Sequence, residues 1–149
     1  MLHFQWYTFS ELTLEQLYAV LSLRAEVFVV EQQCPFQDPD GKDPLALHLL
    51  GTEQNQLVAY IRLFPPTPIK NHVVFGRIIT AQSIRTKGYG KQLMQEMLVY
   101  CQEKFPAMAI KCSAQYRLKY FYENFGFKTE GDIYQEDNVP HISMRKNFK

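Results

Sequence analysis

Residues 84–94, IRTKGYGKQLM, gather Arg85, Lys87 and Lys91 around two glycines, Gly88 and Gly90. The stretch before them, HVVFGRIIT at 72–80, is dense in β-branched residues and predicts a strand; the stretch after them puts Leu93, Met94, Met97, Leu98, Cys101 and Phe105 on one face of a helix. A chain running from a strand through glycines into a helix start exposes main-chain N–H groups, and glycine lets an anion approach them closely. Cations are otherwise unfavourable there, because aligned peptide dipoles already leave partial positive charge at that helix end. The spacing points to an anion cradle, with arginine suited to bidentate phosphate contact and lysine to a point charge.

Two phosphate motifs fail on this stretch. A P-loop needs GxxxxGK[ST], but Arg85 stands five residues before Gly90 and Gln92 follows Lys91. A dinucleotide fingerprint needs a third glycine where Leu93 stands, so close helix–strand packing of that kind is missing. Elsewhere, Asp38, Asp40 and Asp43 surround Gly41, yet a calcium loop started at Asp38 would have Lys42 at its fifth position and Leu49 at its twelfth. No metal is expected. Cys34, Cys101 and Cys112 lack CxxC spacing and are odd in number, which fits reduced structural thiols.

The elements that must position the cradle follow from periodicity. A strand is expected over 3–9, then a helix opened by the Thr13–Gln16 capping box, with Leu14, Leu17, Tyr18, Leu21, Ala25 and Phe28 as its buried stripe until Cys34-Pro35 stops it. Residues 27–30 suit either helix or strand. Residues 34–44 hold three prolines and a Pro-Asp-Gly signal and read as a long loop, of a length that often has a job. Strands are expected at 48–51 and 57–63 as a hairpin, at 72–80, at 108–114, at 127–129 and at 141–145, with helices after Gly90 and from Arg117 to Gly126. The order is β-α-β-β-β-α-β-α-β-β: an α/β chain whose helices cover a mixed sheet.

Composition bounds the function. A chain of 149 residues with 46% hydrophobic and 14% aromatic content can fold as a single domain, 1–149, without metal or disulfide staples. Its net charge of +1 gives no global field for nucleic acid or an anionic membrane, so any anion is recognised locally. The N-terminus lacks a secretory pattern and no run approaches a membrane span, so a cytoplasmic protein is expected.

The arrangement R-x-x-G-x-G from Arg85 to Gly90, after a strand and before an amphipathic helix, resembles the acetyl-coenzyme A loop of GCN5-related N-acetyltransferases (GNAT). The segment AQYRLKYFYENFGF at 114–127 resembles that family's later helix, with Gln115 on the polar amide position and Tyr122 on the tyrosine that approaches the coenzyme sulfur. The segments LRAEVFVVEQQCPFQDPDGKD at 23–43 and VPHISM at 139–144 resemble the ElaA-like subfamily, so the likeness covers nearly the whole chain. It implies a GNAT-like, largely antiparallel sheet flanked by helices and acetyl-CoA as co-substrate. It also implies a coenzyme site built from Arg85, Thr86, Lys87, Gly88, Tyr89, Gly90 and Lys91, with Gln115 and Tyr122. Family likeness assigns the oxyanion donor to backbone N–H groups near Ile78, Ile79 and Thr80, where Gly76 is a candidate for a bulge.

Acetyl transfer sets two proton problems. A lysine-like amine of pKa about 10.4 is neutral in roughly one molecule in 2,500 at pH 7, so deprotonating it costs about 4.6 kcal/mol. Glu31, His48 and His141 are the candidate bases, histidine having a suitable ordinary pKa. Tyr122 is the candidate acid for the leaving thiolate; starting near pKa 10 against a thiol near 8.5, full transfer is uphill by roughly 2 kcal/mol, so a hydrogen bond can suffice. The expected acceptor is a small-molecule or peptide amine attacking directly in a ternary complex. The competing reading is a non-catalytic acyl-CoA-binding sensor or interaction module. Neither nucleic acid nor membrane is an expected partner, and oligomeric state is open, a homodimer included.

Overall fold

A computed structural model describes residues 1–147, apart from the side chain of Thr86. Seven strands, β1 (His3–Thr8), β2 (Leu47–Glu53), β3 (Gln56–Phe64), β4 (His72–Thr80), β5 (Ala109–Gln115), β6 (Lys128–Glu136) and β7 (Val139–Lys146), form one sheet in the order β1-β2-β3-β4-β5-β7-β6. The helices are α1 (Leu14–Ala25), α2 (Tyr89–Lys104) and the short α3 (Lys119–Glu123). This is the expected element order and the expected largely antiparallel, mixed sheet.

Strand β3 shows how the layers assemble. Its neighbours Tyr60 and Ile61 point to opposite faces, and both are fully buried. Tyr60 joins Leu50 and Ile79 beneath Val20, Leu23 and Val27 on the α1 side. Ile61 joins Leu63 and Phe75 beneath Leu93, Met94, Met97 and Tyr122 on the other side, where α2 and α3 lie. Each large apolar side chain so buried contributes roughly 1.5–3 kcal/mol. Tight hairpins at Gln54–Asn55 and Asp137–Asn138, with φ of 52° and 64° and of 51° and 62°, have the paired left-handed residues that match strand twist.

Two expectations change and one open alternative is settled. The stripe on α1 is rotated: Leu14 and Tyr18 are exposed, while Val20, Leu23 and Arg24 are buried. Arg24 goes inward because Asp38 and Asp43 meet it at 2.7 Å each. Residues 26–31 settle as a widened, π-helical continuation of α1, in which Cys34 N–H reaches back to the Val29 carbonyl. Strand β6 is far longer than 127–129; it lies at the sheet edge and is exposed along most of its length, so no apolar alternation announced it. Pro140 sits near the start of β7, where a missing N–H is tolerated.

The feature that makes a site is the β4–β5 contact. The two strands run parallel and pair only over His72–Ala109, Val73–Ile110 and Val74–Lys111. Beyond that point each continues, to Thr80 and Gln115, without the other, and the sheet opens into a wedge.

Candidate functional site: the cleft between two diverging strands

A cleft of about 670 Å³ fills the wedge, lined by the ends of β4 and β5, the start of α2, α3, the 31–42 segment and the β6–β7 turn. On its β4 wall, Tyr60 and Arg62 of β3 face Ile79 and Gly76, so Ile61 stands opposite both Arg77 and Ile78. That is a β-bulge. It falls one residue after the glycine singled out for it, and Arg77 itself takes the left-handed conformation at φ 51°. Such a conformation costs a non-glycine residue about 1–2 kcal/mol. Asp38 holds it in place: Arg77 Nε donates to its carboxylate at 2.8 Å and Nη2 to its carbonyl at 3.0 Å.

The aspartates of the 34–44 loop are thereby accounted for without a metal. Asp38 bridges Arg24 and Arg77, Asp43 bridges Arg24 and Arg62, and Asp40 receives both terminal nitrogens of Arg62. Burial alone would raise the Asp43 pKa, but the hydrogen bonds and charges of Arg24 and Arg62 bring it below the usual carboxylate range. This ion network fastens the loop across β3 and the bulge. Among the described residues no cluster of three or more His, Cys, Asp or Glu is disposed to hold a metal ion.

At the cradle, residues 82–87 form a tight helical turn and Gly88, at φ 75°, hands the chain into α2. Gly88 at the N-cap offers no capping side chain, and helix geometry leaves the N–H groups of the first turn without an intrahelical acceptor; among the described residues no side chain takes them. A Cβ on Gly90 would lie 3.9 Å from Phe121 and 4.0 Å from Thr80, which is ordinary contact. Packing therefore does not require glycine at 90; the space its missing side chain leaves belongs to the cleft, where a bulky anion could reach the amides.

The cations are less free than their spacing implied. Arg85 forms a two-pronged pair with Glu31 at 2.5 and 2.8 Å and also donates to the Thr80 carbonyl. Lys87 and the Tyr89 hydroxyl both turn to Glu53 at the end of β2, anchoring the loop from behind. Lys91 is exposed on α2. The negative partners among these side chains are Glu31 and Glu53, and the open anion-binding capacity lies in the backbone. The Thr86 side chain falls outside the described residues.

On the β5 wall, Gln115 donates to Gln32 at 3.2 Å and accepts from Arg117 at 3.1 Å. Tyr122 is 4% exposed, lines the cleft and has no hydrogen-bond partner among the described residues. Burial pushes its phenol well above the ordinary tyrosine value, so it remains protonated and can donate but not readily ionise. Cys112 also lines the cleft, with burial raising its thiol to about 12, out of the range of a useful nucleophile.

The three candidate bases part company. Glu31 lines the cleft, but the hydrogen bonds from Arg85 lower its pKa and occupy its carboxylate. His48 is not brought to the cleft at all: it is 1% exposed, with Nδ1 2.6 Å from the Tyr60 hydroxyl and Nε2 3.0 Å from the Asp43 carbonyl. A base with both nitrogens engaged and no route to substrate cannot serve, which corrects the reading of His48 as catalytic. His141 does line the cleft, as do Glu136 at the end of β6 and Asp137 of the β6–β7 turn. Arg77, Glu136 and Arg117 are cleft residues that sequence reasoning missed; the first two depend on a bulge and an edge strand invisible to periodicity.

Comparison with known proteins agrees with this geometry. Residues 23–148 match the family model described as an acetyltransferase (GNAT) domain. The chain is 42% identical over 139 residues to protein ElaA of Escherichia coli strain K12, covering 92% of this chain and 91% of that one. The crystal structure of Escherichia coli ElaA superposes with a TM-score of 0.91 at 41% identity, covering 99% of this chain and 100% of that one. An acyl-CoA N-acyltransferase from Pseudomonas aeruginosa superposes with a TM-score of 0.93 at 39% identity, covering 98% and 99%. A wedge between parallel strands and an uncapped helix start, in a chain with these relatives, leads to one conclusion: the chain belongs to the GNAT family of acetyltransferases and is ElaA-like within it.

Proposed function

We propose that the protein transfers an acetyl group from acetyl-CoA to an amine by direct attack in a ternary complex. One observation carries this reading: the start of α2, the edge of β4 that β5 leaves unpaired and a Tyr122 phenol without a hydrogen-bond partner among the described residues converge on a single cleft. The main-chain amides around Gly88 and Gly90 receive the diphosphate of the coenzyme, assisted by Lys91. The thioester arm then lies in the wedge, where β4 main-chain groups near Ile78 and Ile79 face no β5 partner and offer donors to the oxyanion. The acyl-CoA N-acyltransferase of Pseudomonas aeruginosa supports acyl-CoA as the donor class.

Tyr122 acts here as a hydrogen-bond donor and relay. Because burial raises its pKa, outright proton loss to a thiolate is less favourable than for a solvated tyrosine. The proton that ends on sulfur comes instead from the newly bonded nitrogen, passing along the hydroxyl. Among the described residues no helix is long and apolar enough to cross a membrane. The proposed site of action is the cytoplasm, where acetyl-CoA is supplied.

The test separates the enzyme from a non-catalytic acyl-CoA sensor. Calorimetry with acetyl-CoA, followed by free-thiol release across a panel of amines, should give binding and turnover together. Tyr122→Phe should lower turnover by about 10- to 100-fold with the acetyl-CoA Kd unchanged, whereas Gly90→Val should weaken binding about tenfold or more. Equal turnover of wild type and Tyr122→Phe would remove the phenol from the mechanism. Tight binding with no thiol release from any amine would favour the sensor.

A further inference from the structure

Building on the transfer reading, we infer that His141 takes the proton of an aliphatic ammonium acceptor, with Glu136 positioning and stabilising the charged ring. The tautomer follows from chemistry alone. His141 Nδ1 lies 2.7 Å from the Val139 carbonyl, and a carbonyl can only accept, so Nδ1 carries the hydrogen. In the neutral ring Nε2 is then a bare lone pair. Nε2 lies 3.5 Å from Glu136, whose carboxylate is half exposed, and the residue lines the cleft. A ring that is 7% exposed at the cleft wall, with one nitrogen pinned and the other turned toward a carboxylate, has the parts a proton acceptor needs.

The surrounding side chains hold this orientation. Tyr134 stacks on the His141 ring with centroids 6.1 Å apart and planes at 27°. The Tyr134 hydroxyl pairs with Ser113, and Ser113 lies 3.5 Å from Glu136, so three strands contribute to one polar cluster. His141 is also opposite Gln115 in the β5–β7 register, which puts it at the open end of the wedge.

The acceptor class follows. Glu136 and Asp137 give this wall of the cleft negative charge, attracting an amine that arrives protonated, and His141 removes the proton that blocks attack. The steps balance. An ammonium R–NH₃⁺ gives one proton to Nε2; the freed lone pair forms the C–N bond while the carbonyl pair moves to oxygen. Collapse restores the carbonyl and breaks C–S, and a second proton from nitrogen reaches sulfur through Tyr122. The sum is N-acetyl amide, free thiol and one proton, which leaves the imidazolium for solvent past Glu136.

Two probes of similar size test the assignment: benzylamine, protonated at neutral pH, and phenylhydrazine, neutral there and nucleophilic. His141→Gln should lower kcat/KM for benzylamine by about 10²- to 10⁴-fold and for phenylhydrazine by less than about tenfold, with acetyl-CoA binding intact. Glu136→Gln should change the ratio in the same direction by a smaller factor. Nitrogen-15 NMR of the wild-type protein should show the neutral ring protonated at Nδ1. Equal losses for both probes, or a neutral ring protonated at Nε2, would overturn the inference. Acetyl-CoA binding with neither probe acetylated by wild type would instead count against the transfer reading, and this inference would fall with it.

Discussion

Two histidines open two strands of the same sheet, and only one of them is placed for chemistry. His48 starts into β2 with both ring nitrogens spent, Nε2–H on the Asp43 carbonyl and Nδ1 facing the Tyr60 hydroxyl, under complete cover. His141 stands in β7 with Nδ1–H spent on its own turn and Nε2 facing Glu136 and the cleft. Residue type and position along a strand are alike. What differs is how many nitrogens the fold has already used. One pinned nitrogen orients a base, whereas two pinned nitrogens make a structural cross-brace between β2, β3 and the loop ending at Asp43.

The comparison breaks most sharply if the two histidines are exchanged in role. His141→Gln should lose turnover of an ammonium acceptor by about 10²-fold or more while its urea midpoint stays close to that of wild type. His48→Leu should do the reverse. It strips the Asp43 carbonyl of its donor and the Tyr60 hydroxyl of its acceptor, costing about 1–3 kcal/mol of stability with turnover per folded molecule retained. A stable His48→Leu protein that had lost activity would restore His48 as a candidate base and undo the distinction.

Acidification sharpens the same point. Burial is the main cause depressing the His48 pKa; Asp43 pulls it upward, and Arg24 and Arg62 reinforce the depression. An unfolded chain protonates this residue near pH 6.5 while the folded chain does not, so the unfolded state binds more protons and stability falls as pH drops below about 6.5. His48→Leu lacks that loss. The stability gap between wild type and His48→Leu, measured by urea unfolding, should therefore shrink from pH 7.5 to 5.5. A gap that widens would mean that His48 is charged in the folded protein.

The parts legible in the sequence were those carried by local pattern. The β-branched run at 72–80, the glycines at 88 and 90 and the Gln115–Tyr122 spacing fix a strand, a helix start and a facing helix within a few dozen residues, and the structure brings the end of that strand, Gly90, Gln115 and Tyr122 to one cleft. The parts not legible depend on pairs far apart in the chain. Arg24 falls outside the apolar stripe expected on its helix, and its burial is intelligible only with Asp38 and Asp43 beside it. Arg77 reads as ordinary strand until the β3 register shows one residue too many. Glu136 lies beyond the strand expected at 127–129, because β6 has only one neighbour strand and an exposed face that gives it no apolar rhythm.

Glu31 supplies the smallest effect and a useful control on the histidines. As a base it would repeat the role given to His141; as found, its carboxylate is taken by Arg85, with the two side chains about a third exposed. An exposed pair of that kind is worth about 0–1 kcal/mol, so freeing the guanidinium cannot change a binding constant by more than about fivefold. Glu31→Gln should accordingly tighten acetyl-CoA by that factor at most, because Arg85 becomes available to the phosphates, and should leave kcat for the ammonium probe within the same range. A drop of orders of magnitude in kcat would mean that Glu31 leaves Arg85 when acetyl-CoA binds and turns to the acceptor, in which case the proton leaves through the 31–34 segment and His141 is only its neighbour.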